Sequence, residues 1–230
     1  MSSNKYYIGW DVGAWNCDKN KSSRDAIVII TPEGKIVFGK RNNVKEWINT
    51  AQTTKEILSL FFKHCGLQYY DEEVVLAIDT PLGFSQAFIN LITNYSILEP
   101  IGNFSKNPYL YRKTELFLFE KKEKPLSAVN HMIGAQATKG IHFLSKFAPE
   151  IESVGIWKSK DEKLTVIETY PAVNKHIEIL DILNSENQDI QDAYKCAVIA
   201  KQFEENKLVF YPPLDAIHEK EGWIWVLKKI

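Results

Sequence analysis

Runs of apolar residues, broken by polar residues and turn formers, divide the chain into recognisable elements. Tyr6–Asp11 (Tyr-Tyr-Ile-Gly-Trp-Asp) is rich in strand-forming side chains, and the Val12-Gly13 that follows marks a tight turn. It predicts a buried first strand with an acid at its C-terminal end. Residues 25–31 and 35–38 are apolar runs on either side of Pro32-Glu33-Gly34, the signature of a hairpin. Strands one to three are therefore expected to form an antiparallel meander. Over residues 43–64 the period changes to that of a helix, with Val44, Trp47, Ile48, Ala51, Ile57, Leu58, Phe61 and Phe62 on one face. Thr53-Thr54 is the point where this helix can break in two, and Gly66 supplies a stop. Val74–Asp79 is a fourth strand, again ending in an acid, with the turn Thr80-Pro81-Leu82-Gly83 after it. The opening order is β-β-β-α-β.

From residue 84 to 147 no strand pattern occurs. Helices are predicted at 84–92, 112–122 and 132–147, with a Pro- and Gly-containing loop over 94–109. This middle third, about 84–150, reads as a helical insertion over the sheet edge. A strand follows at Leu164–Thr169, preceded by a short run at 153–157 able to pair with it. Next come a short helix over 171–180 and a long helix over 188–205, and a last strand or edge segment at 222–227. Asp189 and Asp192 fall in the first turns of the long helix, where acids suit the helix dipole. The expected fold is one α/β domain spanning residues 1–230, with a mixed sheet of five or more strands.

Composition narrows the class. Hydrophobic residues are 45% and charged residues 25%, which suits a packed core and not a disordered chain. No apolar run approaches the roughly 18 residues of a membrane span, and the N-terminus lacks the apolar stretch of a signal peptide. Cys17, Cys65 and Cys196 are odd in number and far apart, without metal-site spacing or a disulfide framework. A cytoplasmic, reducing location is expected. The formal net charge of −1 gives no global attraction to nucleic acid. Any such grip has to come from local patches such as Lys19, Lys21 and Arg24, or Lys121, Lys122 and Lys124, which read equally well as solvated surface.

Candidate chemistry lies in the acids that close the apolar runs. Asp11, Asp79 and Glu168 each end a strand just before a breaker, and Asp192 sits on the last long helix. If the strands are parallel neighbours, the carboxylates meet at the sheet edge where open α/β sheets bind ligands. Clustered carboxylates repel one another unless a cation neutralises them, and oxygen-only ligands select Mg²⁺ or Mn²⁺. Two such ions about 3.5–4 Å apart can activate water and stabilise a leaving oxygen in phosphodiester cleavage. Taken singly, each Asp is equally a turn former or a helix-start residue.

These motifs resemble a known family. Ile8-Gly9-Trp10-Asp11 with Gly13, Ala77-Ile78-Asp79-Thr80-Pro81-Leu82-Gly83, Tyr111-Arg112-Lys113-Thr114-Glu115, Val166-Ile167-Glu168-Thr169-Tyr170-Pro171-Ala172 and Gln191-Asp192-Ala193 are similar to those of an uncharacterised family of predicted RNase H-like nucleases. The resemblance spans nearly the whole chain. It implies a ribonuclease H-like fold and a metal-dependent nuclease with Asp11, Asp79, Glu168 and Asp192 as metal-holding, catalytic carboxylates. Gln191 departs from the pattern, since such families often carry His before the helix Asp, and Gln cannot shuttle a proton near neutral pH.

Arg112 and Glu115 stand three apart on a predicted helix. They read either as a substrate-binding pair, with Arg112 contacting a phosphate, or as an ordinary i,i+3 ion pair. The five histidines show no zinc-binding spacing. Two further functions fit parts of the pattern. One is a catalytically silent module that binds nucleic acid or protein on the same fold. The other is a sugar-kinase-type or actin-like phosphotransferase, suggested by Asp11-Val12-Gly13 but short of glycines after Gly155.

Overall fold

The computed structural model describes residues 5–184, 186–206, 211–212 and 218–227. Its elements run β1 (Tyr6–Asp11), β2 (Ala26–Ile30), β3 (Ile36–Phe38), α1 (Val44–Thr50), α2 (Thr54–His64), β4 (Val74–Asp79), α3 (Gln86–Asn94), α4 (Lys113–Glu120), α5 (Gly134–Phe147), β5 (Glu150–Ser153), β6 (Ile156–Lys158), β7 (Leu164–Thr169), α6 (Gln188–Glu204) and β8 (Ile224–Trp225). The fold is mixed α/β, built on one eight-stranded sheet with the order β3-β2-β1-β4-β7-β6-β5 and β8 beside β7. β1, β2 and β3 form the antiparallel meander. β4 adds parallel to β1, and β7 parallel to β4.

Strand alternation divides the core. Ile8, Trp10, Leu76, Ile78, Leu164 and Val166 face α1, α2 and α5, against Phe61, Phe62, Phe143 and Phe147. Tyr7, Val75, Ala77 and Ile167 face α6 on the other side. Because both faces are covered, β1 and β4 read as continuous apolar runs and not as alternating ones. Gly9 lies on the α6 face, where a Cβ would stand 1.8 Å from the Ala193 carbonyl oxygen. Only glycine lets α6 lie directly on β1, and this contact brings the first turns of α6 to the C-terminal end of that strand.

Several sequence expectations shift in detail. The helix of 43–64 is two helices, and the Thr53 hydroxyl accepts from the Glu56 amide to start the second. The region 171–180 contains a single 3₁₀ turn at Pro171–Val173 in place of a helix. The run before β7 is the β5–β6 hairpin, with β6 antiparallel to β7. The 222–227 segment pairs through Ile224 and Trp225 alone. The helical middle third divides in function. α3 has no fully buried residue, whereas α5 buries Phe143, Leu144 and Phe147 in the core and belongs to the sheet's own packing layer.

A buried ion pair locks α5 in place. The Lys139 ammonium, wholly excluded from solvent, donates to both Asp25 carboxylate oxygens at 2.7 Å and to the Gly13 carbonyl at 3.1 Å. Asp25 also accepts from the Trp10 indole and the amides of Gly13 and Val44. One carboxylate thus fixes the turn after β1, the start of α1 and the middle of α5. Lys139→Met leaves that carboxylate buried without its cation, and the expected cost is about 3 kcal/mol in urea unfolding. The double change Lys139→Met/Asp25→Asn should recover more than half of the loss. A single-variant loss below about 1 kcal/mol would show that the pair does not hold α5.

Candidate functional site

The parallel register of β1 and β4 pairs Asp11 directly with Asp79. Both side chains emerge on the α6 side, at the C-terminal edge of neighbouring strands. They line a cavity of about 160 Å³ together with Thr80, Gln136, Glu168 and Tyr170. Among the described residues no hydrogen-bond donor reaches either carboxylate, and the Lys195 ammonium only partly offsets the cost of charging Asp79. Burial first, then Asp79 and Asp189, push Asp11 well above the usual carboxylate range. Burial, then Asp192 and Glu168, push Asp79 up to about 8. The hydroxyl of Thr80, buried in the cavity wall, has no hydrogen-bond partner.

The other expected acids are differently placed. Glu168 aligns with Ile78, one position inward from Asp79, so alternation turns it towards the opposite face. It is buried and already saturated. Arg112 donates to its two oxygens at 2.8 and 2.5 Å, and the Leu82 amide donates at 2.8 Å. Asp192 lies on the α6 side near Asp79, but it accepts from Lys195 at 2.7 Å and from the Gln188 amide group at 3.1 Å. Asp189 pairs with Arg41 at 2.5 Å. The four carboxylates are therefore not equivalent. Asp11 and Asp79 are bare, and Glu168 and Asp192 each hold a protein cation.

The expectation that Arg112 reaches a phosphate is corrected by its surroundings. Arg112 and Glu115 are both buried at the start of α4. The Arg112 Nε donates to Glu115 at 2.9 Å, its terminal nitrogens go to Glu168 and to the Glu221 carbonyl, and its backbone amide goes to Glu115 at 2.7 Å. Four of the five guanidinium N–H groups are used inside the fold. Glu221 extends the cluster, accepting from the Lys113 amide and, at 3.4 Å, from the Gln86 amide. Sequence reasoning found the i,i+3 pair but not its long-range partners, Glu168 and Glu221, because spacing carries no information about contacts 56 and 109 residues away.

Two contributors were not singled out from the sequence. Lys195 is one helical turn after Asp192, a spacing that could have shown it. Thr80 carries no signal beyond its place in the turn after β4. Gln191 gives its side-chain amide to the Leu183 and Glu186 carbonyls, tying down the segment before α6. As they stand, no three His, Cys, Asp or Glu side chains among the described residues converge on one metal position. Asp11 and Asp79, with the orphaned Thr80 hydroxyl beside them, are nevertheless an oxygen-only set that suits a hard divalent ion retaining several waters. Comparison with protein-family models, with curated proteins and with solved structures finds no match.

The bare pair sets a pH signature. A carboxyl whose folded-state pKa is raised stabilises the fold when protonated and withdraws that contribution as pH rises from its unfolded value to its folded one. For Asp79 the window runs from about 4, the unperturbed value, to about 8. In chelator, the melting temperature of the protein should fall across that window. Asp79→Asn should melt higher than the unmodified protein at pH 8.5 and equally at pH 4. Equal melting at both pH values would show that Asp79 is not held under repulsion.

Proposed function

We propose that the protein is a metal-dependent nuclease with a ribonuclease H-like sheet, hydrolysing phosphodiester bonds in nucleic acid with Mg²⁺ or Mn²⁺. The observation that carries the reading is the Asp11–Asp79 pair, two adjacent carboxylates on one cavity that accept no hydrogen bond among the described residues, while the nearby Lys195 ammonium is paired with Asp192. The β-β-β-α-β opening and the two parallel strands that bring these acids together support the fold assignment. A reducing cytoplasmic setting fits three buried cysteines, none in a disulfide.

In this reading Asp11 and Asp79 hold the ion, and the Thr80 hydroxyl lies at the same wall. When bound, the ion supplies Lewis acidity to the scissile phosphate and lowers the pKa of attacking water. Asp192 reaches the site from α6, and Lys195 neutralises it in the ion's absence. Glu168 contributes charge from behind, with Arg112 fixing its orientation and holding β7 against α4. In this reading water held by the ion is the nucleophile, so hydrolysis is direct and leaves no covalent enzyme intermediate. The pairing of Glu168 with Arg112 and of Asp192 with Lys195 also favours a second reading, a silent binding module in which these charges are purely structural.

Mn²⁺ titration by calorimetry separates the two. The nuclease reading expects saturable binding that Asp11→Asn or Asp79→Asn weakens at least about tenfold, with cleavage of a nucleic-acid substrate lost in the same variants. Both variants should melt no lower than the unmodified protein in chelator at pH 8. Absence of Mn²⁺ binding, or cleavage undiminished in excess chelator, would leave the silent module standing.

A further inference from the structure

Beyond the carboxylate site, a sizeable cavity lies in the helical lobe between β4 and α5. It has a volume of about 530 Å³ and is lined by Lys106, Tyr111, Phe119, Lys122, Lys124 and His131, with Glu120 and Glu123 also on its wall. Lys106, Lys122 and Lys124 are exposed and enter no ion pair among the described residues. The rings form a connected wall. Tyr111 meets Phe119 edge-on at 5.1 Å and Phe104 edge-on at 6.3 Å, and Phe104 is 63% exposed. Phe104 precedes the lining residue Ser105 and leaves its ring open to solvent, free to stack on an occupant.

Charge favours an anionic one. Residues 84–133 contain six Lys or Arg against four Glu and no Asp, whereas the whole chain has 28 basic and 29 acidic residues. The lobe is thus net positive on a chain that is otherwise net negative. Its cavity is also a direct neighbour of the carboxylate site. Pro125 lines the lobe cavity and Leu126 the carboxylate cavity, and His131 and Ile133 divide in the same way. A chain lying across the 124–133 segment spans both.

We propose that the lobe cavity holds a single-stranded nucleic acid, with an unpaired base against the Phe104–Tyr111 wall and phosphates at Lys106, Lys122 and Lys124. Aromatic faces stack any unpaired base, and lysines track the backbone without reading sequence. A duplex keeps its bases stacked inside and leaves the exposed ring without a partner. The proposal rests on the nuclease reading for what the adjacent site does to the strand. Its binding chemistry is separate from the metal.

The test is fluorescence anisotropy with a labelled oligothymidylate in chelator at low salt, where the carboxylate site cannot act. The unmodified protein should bind it, and bind a duplex of equal length more weakly. Lys106→Gln/Lys122→Gln/Lys124→Gln should lose at least about tenfold, and the slope of log affinity against log salt should shrink by about 2. Phe104→Ala should lose about fivefold or more with an unchanged melting temperature. Retained oligonucleotide binding without Mn²⁺ binding or cleavage would overturn the nuclease reading and leave this subsite standing. No binding by the unmodified protein, unchanged affinity in the lysine or Phe104 variants, or an equal Phe104→Ala loss towards polyglutamate would overturn the subsite. The last outcome would assign the lobe to an acidic protein partner.

Discussion

The guanidinium of Arg112 is the junction on which the site's arrangement depends. One buried cation joins the end of β7, the start of α4 and the segment leading to β8, through Glu168, Glu115 and the Glu221 carbonyl. A charge this deep is tolerable only where its donors are met, and here they are met by two carboxylates and a carbonyl. The consequence reaches the sheet edge. Glu168 has both oxygens taken from behind by Arg112, although its charge, after that of Asp192, still bears on Asp79. Arg112 therefore decides which acids stay available to an external cation.

A second ion pair works at the other end of the cavity. Lys139 and Asp25 anchor α5 to the turn after β1, and Gly140 on the same helix packs against Thr80 and Leu82, where a Cβ would come within 2.5 Å of the Thr80 methyl. The walls of the carboxylate cavity are thus held by α5 on one side and by α6, seated on Gly9, on the other. Rigid walls matter for a carboxylate pair with no donors. Flexible side chains would swing apart to relieve repulsion, whereas strand ends in register cannot.

The lobe contrasts with this rigidity. α3 lies on the surface without a fully buried residue, and exposed apolar side chains concentrate from Ile92 to Met132. Within that region only α4 reaches a small core, where Leu118 packs with Val173, Ile224 and Val226, and side chains on its other side line the cavity. The division follows from their neighbours, since α5 has the sheet to pack on and α3 does not.

The residue pattern by itself determined the strands, because burial on both faces imposes continuous apolar runs at β1, β4 and β7, and it determined the breakers that end them after Asp11, Asp79 and Glu168. It also showed the break at Thr53, through the capping chemistry of a hydroxyl at a helix start, and the acids on α6. Three features were decided only by the tertiary structure. Parallel register set Asp11 beside Asp79 and placed Glu168 one position inward, on the other face. Side-chain pairing across 56 residues turned Arg112 from a candidate phosphate ligand into an internal clamp. The close approach of α6 at Gly9 gave Asp192 its nearness to Asp79. The physical reason is common to all three. Local sequence fixes backbone preference and which side of an element is apolar, but the state of a charge depends on what surrounds it in space, and those partners come from distant parts of the chain.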